Sequence, residues 1–328
     1  MKQLLYLVLL IQINSQSYSQ KKPEDFGYRH LQFEYQNLLT DVLISSAKGE
    51  EQIAKPILFF CQGSLPTPLL ITENNSAYSV FPFSPEILNK NFHLIIAGKP
   101  GIPLYKESNQ LNPDFTYTDS TGFPPQDFLA NDNLEFYAER NNFILQKLMK
   151  ENWVNSEKIV VAGHSAGATI AVKMAATNKK ITHLIYASGN PFGRIVSMIE
   201  KSKSIETDSS NFKENDFGYW HYLNTADPAE LSYTEKSDLS FSEPSFELLK
   251  KIKIPVLLAY GSEDFCAAYL DYLRVWSIQN DATNFTFREY KNLDHNFFRE
   301  NQDGSVDYSD FNWDSVAEHW LNWLLTAK

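Results

Sequence analysis

The chain has 328 residues, 43% of them hydrophobic and 21% charged, with 17 Tyr and 23 Phe. That composition excludes a disordered, collagen-like or coiled-coil chain and supplies a large core for one large domain or two smaller ones. The formal charge is −11, from 29 basic against 40 acidic residues, and no Lys/Arg block is present to neutralise a run of phosphates, which argues against nucleic acid as a partner.

The N-terminus reads as an address. Lys2 is followed by an apolar run from Leu4 to Ile11, and Ser17-Tyr18-Ser19 places small residues where a signal peptidase cuts, after Ser19. The run is too short to span a bilayer, polar Asn14 and Gln16 follow it, and no cysteine stands at the cleavage point to carry a lipid. The expectation is an exported protein, periplasmic or secreted, comprising residues 20–328 and lacking a stable membrane anchor once residues 1–19 are removed.

Arg29 to Tyr35 and Asp41 to Ser45 alternate partly between apolar and polar residues, as antiparallel strands at a sheet edge do. Ile57 to Cys61, Phe92 to Ala97, Lys158 to Ala162, Ile181 to Ala187 and Ile254 to Tyr260 are instead mostly continuous apolar runs, the pattern of strands covered on both faces. Asn284 to Tyr290 is a more polar strand for the other edge. Helical periodicity falls between these runs: Asn131 to Glu151, Ala168 to Thr177, Ala267 to Gln279 and, closing the chain, Trp313 to Leu325. Repeated alternation of buried strand and helix predicts a largely parallel sheet with helices on both faces. Ile102 to Ala130 and Pro191 to Lys251 are too long for ordinary connections and read as insertions, the second a helical cap or a flexible flap at about 191–251.

Chemistry enters at Gly163-His164-Ser165-Ala166-Gly167, which joins the strand Ile159-Val160-Val161-Ala162 to a helix. A sharp turn between strand and helix holds Ser165 in a strained backbone with its hydroxyl exposed, and the flanking glycines leave room for strand and helix. The helix N-terminus then faces any oxyanion formed there. A serine hydroxyl is a weak nucleophile at neutral pH, so the reading requires a carboxylate and then a histidine further along the chain. Gly261-Ser262-Glu263-Asp264 and Asn292-Leu293-Asp294-His295 supply them, Asp264 lying 99 residues after Ser165 and His295 another 31 on.

With these residues in place, the sequence resembles the α/β-hydrolase superfamily over nearly all of the mature chain. The resemblance implies a mostly parallel eight-stranded sheet, with Ser165 as nucleophile, the acid after the seventh strand at Asp264 and the base after the eighth at His295. It implies an oxyanion hole made by the amides of Ala166 and, from the loop Gln62-Gly63-Ser64, of Ser64. Gln62 stands where many relatives carry His. Glu263 and Asp294 are rival acids, and the position after the sixth strand, Ser188-Gly189-Asn190, has no carboxylate. In this fold Cys61 and Cys266 lie about three strand spacings apart, too far for a disulfide, so both are expected to be free.

The remaining histidines read as structural: His164 beside the nucleophile points away from it, His319 packs within the closing helix, and His30, His93 and His183 have no partner motif. Asp303-Gly304 with Asp307 and Asp310 resembles a calcium loop only faintly and reads as a solvated acidic loop. No cofactor or metal is called for. The substrate expected is a small ester or acyl compound, because Tyr105, Phe115, Tyr117, Trp220 and Tyr222 offer aromatic surface and no cation cluster is evident; Tyr105 and Trp220 are the substrate-binding candidates. A peptidase on the same fold and a non-catalytic binding protein are the alternative readings.

Overall fold

The computed structural model describes residues 22–74, 76–207 and 209–327; the expected signal segment, residues 1–19, lies outside them. Its centre is an eight-stranded sheet built from β1 (Tyr28–Tyr35), β2 (Leu38–Ser45), β3 (Lys55–Cys61), β4 (His93–Ala97), β5 (Val154–His164), β6 (His183–Ala187), β7 (Val256–Gly261) and β8 (Phe285–Tyr290). The spatial order is β1-β2-β4-β3-β5-β6-β7-β8. β2 runs antiparallel to both its neighbours, and every other pair is parallel. Gln36 and Asn37, both at positive φ (49° and 62°), make the two-residue turn between β1 and β2.

The continuous apolar runs follow from burial on both faces. Along β3, Ile57, Phe59 and Cys61 enter one core while Leu58 and Phe60 enter the other, and Ile159/Val161 against Val160/Ala162 repeat the division on β5. The first core is closed by α1 (Leu134–Leu148), α2 (Ala166–Thr177) and α6 (Ala267–Gln279); the second by α7 (Trp313–Thr326), whose Trp313 and Trp320 pack with Phe81 and Phe83. Asn133 caps α1 by accepting the Phe136 amide at 2.8 Å.

Cys61 and Cys266 are both free and buried, as the strand order predicts: β5 and β6 separate β3 from β7. Residues 191–251 contain α3 (Arg194–Ile205), α4 (Phe212–Thr225) and α5 (Tyr233–Phe241). Two small sheets are built mostly of strands of three or four residues, too short to register as periodicity, with Val306–Phe311 as the six-residue exception. Tyr105–Glu107 joins Leu70–Glu73 and Ser76–Ser79, so the first insertion is partly woven into structure. Phe298–Glu300 pairs with Val306–Phe311, and the acidic loop between and beyond them is held by its own side chains: Asp303 and Asp307 accept from Ser305 and Ser309, and Asp310 pairs with Arg299. No helix among the described residues is long and apolar enough to cross a membrane.

Candidate active site

β5 delivers Ser165 at φ 57° and ψ −125°, the left-handed region that residues with side chains avoid, so the turn stores strain at the nucleophile. The flanking glycines permit it. A Cβ on Gly163 would lie 2.0 Å from the Gly167 carbonyl oxygen, and one on Gly167 would lie 2.0 Å from that of Cys61 at the end of β3. The Ser165 amide is anchored to Ala187 O of β6 at 3.0 Å.

Three side chains from three turns meet there. The Ser165 hydroxyl donates to His295 Nε2 at 3.0 Å, and His295 Nδ1–H donates to Asp264 Oδ1 at 3.0 Å. Asp264 Oδ1 also accepts the Cys266 amide at 2.9 Å. Gly261 makes the junction possible, since a Cβ there would strike Leu293 O at 2.0 Å and push the acid-bearing turn off the histidine loop. Burial raises the Asp264 pKa, but the adjacent His295, the Cys266 amide and the nearby Ser188 hydroxyl outweigh it, leaving the carboxyl below its ordinary value and ionised at neutral pH. The rival acids are engaged elsewhere. Asp294 accepts the amides of Asn296 and Phe298 within its own loop, and Glu263 accepts from the Ser262 hydroxyl.

His164 takes no part in the Ser165–His295–Asp264 hydrogen bonds, but it lines the second cavity and is not a passive core residue. Its Nε2–H donates to the backbone oxygen of His295 at 2.8 Å, and its ring packs edge-on against Trp313 at 5.1 Å. The nucleophile turn thereby grips the loop that carries the base. Burial, followed by the neighbouring His295, pushes the His164 pKa down to about 3. A group neutral in the fold but protonated near 6.5 when unfolded contributes stability that is complete above about pH 6.5 and drains away as pH falls towards 3. The melting temperature should therefore drop more steeply between pH 6.5 and 4 in the parent chain than in His164→Asn; parallel curves would contradict a buried neutral imidazole.

Two cavities of about 320 and 330 Å³ converge on the serine, and Ser64, Ser165, Lys201 and His295 line both. Ala166 lines the first and begins α2, where a helix leaves its amides without intrahelical acceptors. Ser64 and Ala166 are thus both brought to the nucleophile, and Gly63 sits so close that a Cβ on it would be 3.9 Å from the Ser165 Cβ.

Tyr105 and Trp220, the substrate-binding candidates from the sequence, line neither cavity. Tyr105 is spent in pairing with Leu70 and packing on the core, and Trp220 belongs to α4, whereas the helix that faces the site is α3. Arg194, Ser197, Met198 and Lys201, at i, i+3, i+4 and i+7, form that face. This spacing is visible in the sequence, but only the packing shows which helix of the insertion leans over the serine. The aromatic wall comes from Phe241 and from Phe265, whose ring stacks on His295 at 4.4 Å. Cations are present too: Arg194 is paired with Asp238 at 3.0 Å, and Lys201, 4.5 Å from the Phe265 ring centroid, has no carboxylate within 4.0 Å among the described residues.

Sheet order, strained serine turn and hydrogen-bonded Ser, His and Asp define the chain as an α/β-hydrolase in fold. The family described as BAAT / Acyl-CoA thioester hydrolase C terminal matches residues 133–274, a stretch that contains Ser165 and Asp264 and ends before His295. No curated protein matches the sequence. Among solved structures, an acylaminoacyl peptidase from Pyrococcus horikoshii is 15% identical with a TM-score of 0.56, over 92% of this chain and 41% of that one, so this chain spans about two-fifths of its length. Est1E from Butyrivibrio proteoclasticus is 13% identical with a TM-score of 0.52, over 90% of this chain and 98% of that one. The thioesterase domain from the curacin biosynthetic pathway is 11% identical with a TM-score of 0.51, covering 91% and 99%.

Proposed function

We propose that this chain is an exported serine hydrolase that cleaves a carboxylic ester through an acyl-enzyme. The observation that carries the reading is the unbroken hydrogen-bonded sequence Ser165, His295, Asp264 beneath a cavity. His295 Nε2 removes the Ser165 proton as Oγ attacks the ester carbonyl, while Asp264 holds the Nδ1–H tautomer and stabilises the imidazolium. The tetrahedral oxyanion lies against the amides of Ala166 and Ser64 at the positive end of α2. Collapse expels the alcohol, which takes the proton from His295. Water, deprotonated by the same imidazole, then releases the acid and restores the serine. Export rests on the N-terminal signal pattern of residues 1–19. A thioester is the second reading, favoured by the family description over residues 133–274.

Lys201 at the junction of the two cavities favours an ester that carries a carboxylate of its own. A panel of p-nitrophenyl esters, acyl thioesters and aminoacyl anilides, run with the parent chain and Ser165→Ala, tests the reaction class. Serine-dependent turnover of esters supports the proposal, and turnover confined to anilides rejects it. Within the panel, the 4-nitrophenyl ester of glutaric acid is compared with its neutral methyl ester. Lys201→Glu should lower the ratio of their kcat/KM values by about fivefold, the scale of a partly solvated charge pair; an unchanged ratio rejects the carboxylate preference.

A further inference from the structure

Lys99 is a buried cation that the triad does not use. It follows β4, is only 6% exposed, and the one hydrogen bond of its side chain among the described residues runs from Nζ to the backbone oxygen of Gly63 at 2.6 Å. Burying an ammonium is costly without a carboxylate partner, and none lies within 4.0 Å among the described residues. What surrounds it is the ring of Phe128 at 5.4 Å, the ring of Tyr137 at 5.9 Å, the attractive charge of Asp132 and the repulsive charges of Arg140 and Arg194. Asp132 is itself committed to Tyr137 and Ser237, and Arg140 to Gly98 O and Asn141. A cation kept in so unfavourable a place has a task at the atom it touches.

That atom belongs to the peptide unit joining Gly63 to Ser64. A trans peptide is planar, with its N–H directed opposite to its C=O, and no cis peptide occurs among the described residues. Lys99 lines neither cavity at Ser165, whereas Ser64 lines both, so the ammonium grips the carbonyl from behind the loop. We infer that Lys99 is the positioning residue of the oxyanion hole: its bond to Gly63 O fixes the Gly63–Ser64 peptide plane with the Ser64 N–H turned to Ser165, and its charge polarises that peptide toward a developing oxyanion. This rests on the serine-hydrolase reading above and adds to it a control of the oxyanion site from the turn after β4.

Burial, only partly offset by Asp132 and reinforced by Arg194 and Arg140, brings the Lys99 pKa down to about 7. The charge is present below about pH 7 and lost above it, so the polarisation weakens on the alkaline side. The neutral amine still donates a hydrogen bond, and the alkaline loss is therefore a few-fold and not complete.

The test follows kcat and KM for p-nitrophenyl acetate from pH 6 to 9, with Ser165→Ala as the background, for the parent chain, Lys99→Met and Lys99→Arg. Losing a true oxyanion donor costs about 10²- to 10³-fold in kcat, and Lys99 acts through such a donor, so Lys99→Met should lose about 10- to 100-fold in kcat with KM little moved. The parent should show a decline in kcat as pH rises through about 7, which Lys99→Met and the permanently charged Lys99→Arg should lack. Lys99→Arg should recover much of the rate, and it supplies the answer if Lys99→Met does not fold. A folded Lys99→Met within twofold of the parent, or an alkaline decline that survives in Lys99→Arg, overturns the inference. A parent chain without serine-dependent turnover and without Ser165 labelling by a fluorophosphonate overturns the hydrolase reading itself, a result distinct from a working parent matched by its Lys99 variants.

Discussion

Replacing Ser165 with alanine should abolish covalent labelling by a fluorophosphonate and cut ester turnover by about 10⁶-fold, the scale known for removing the nucleophile of another serine hydrolase. The expectation follows from the turn: φ of 57° holds the side chain out from β5, and the 3.0 Å bond to His295 Nε2 supplies the base that a hydroxyl lacks on its own. Because serine, histidine and acid act as one proton-transfer unit, His295→Ala should be nearly as damaging, and the double variant with Ser165→Ala scarcely worse than either single change. Mass spectrometry of the labelled chain is the direct check. A probe adduct on another residue with Ser165 unmodified would falsify the nucleophile, and additive losses in the double variant would mean that the two residues do not work together.

Asp264→Asn should lower kcat by up to about 10⁴-fold while leaving the melting temperature close to that of the parent, again on the scale of a different serine hydrolase. Asp264 Oδ1 accepts two hydrogen bonds, from His295 Nδ1 and from the Cys266 amide. Because both bonds fall on the same oxygen, an asparagine that turns its NH₂ toward Nδ1 gives up the Cys266 bond and puts the imidazole proton on Nε2, where it blocks removal of the Ser165 proton, and one that keeps its carbonyl oxygen there lacks the charge that stabilises the imidazolium. The two neighbours in sequence make the comparison sharp. Glu263→Gln touches only an exposed contact with Ser262, and Asp294→Asn loosens a loop cap without reaching the imidazole, so both should retain most activity. Either of them matching Asp264→Asn in folded protein would move the acid to that residue.

The strands and the order Ser165, Asp264, His295 were legible in the sequence because each depends on local pattern. A strand covered on both faces must be apolar throughout, as Ile57 to Cys61 and Ile254 to Tyr260 are. A strained strand-to-helix turn must carry small residues on either side of the serine, as Gly163 and Gly167 do. The three-residue strand at Tyr105–Glu107 and the hairpin after Phe298 escaped because three residues span barely one alternation and Val306–Phe311 is largely polar and partly exposed. Tyr105 and Trp220 lie outside the two cavities at the serine, and aromatic content says nothing about which helix of an insertion turns toward the site.

By itself, then, the sequence determined the class of sheet, the strained turn at Ser165 and the chain order of the three groups around it, all of which follow from steric room, burial and spacing along the backbone. Only the tertiary structure decided how residues far apart in sequence share a surface. It set α3, and not the aromatic helix α4, over the serine; it made His164 a donor to the His295 loop 131 residues away; and it buried Lys99 behind Gly63. Such contacts depend on the packing angle of whole elements and on where a single carbonyl finds its donor. No residue type or interval along the chain encodes these, because the same lysine on the surface would be a solvated charge.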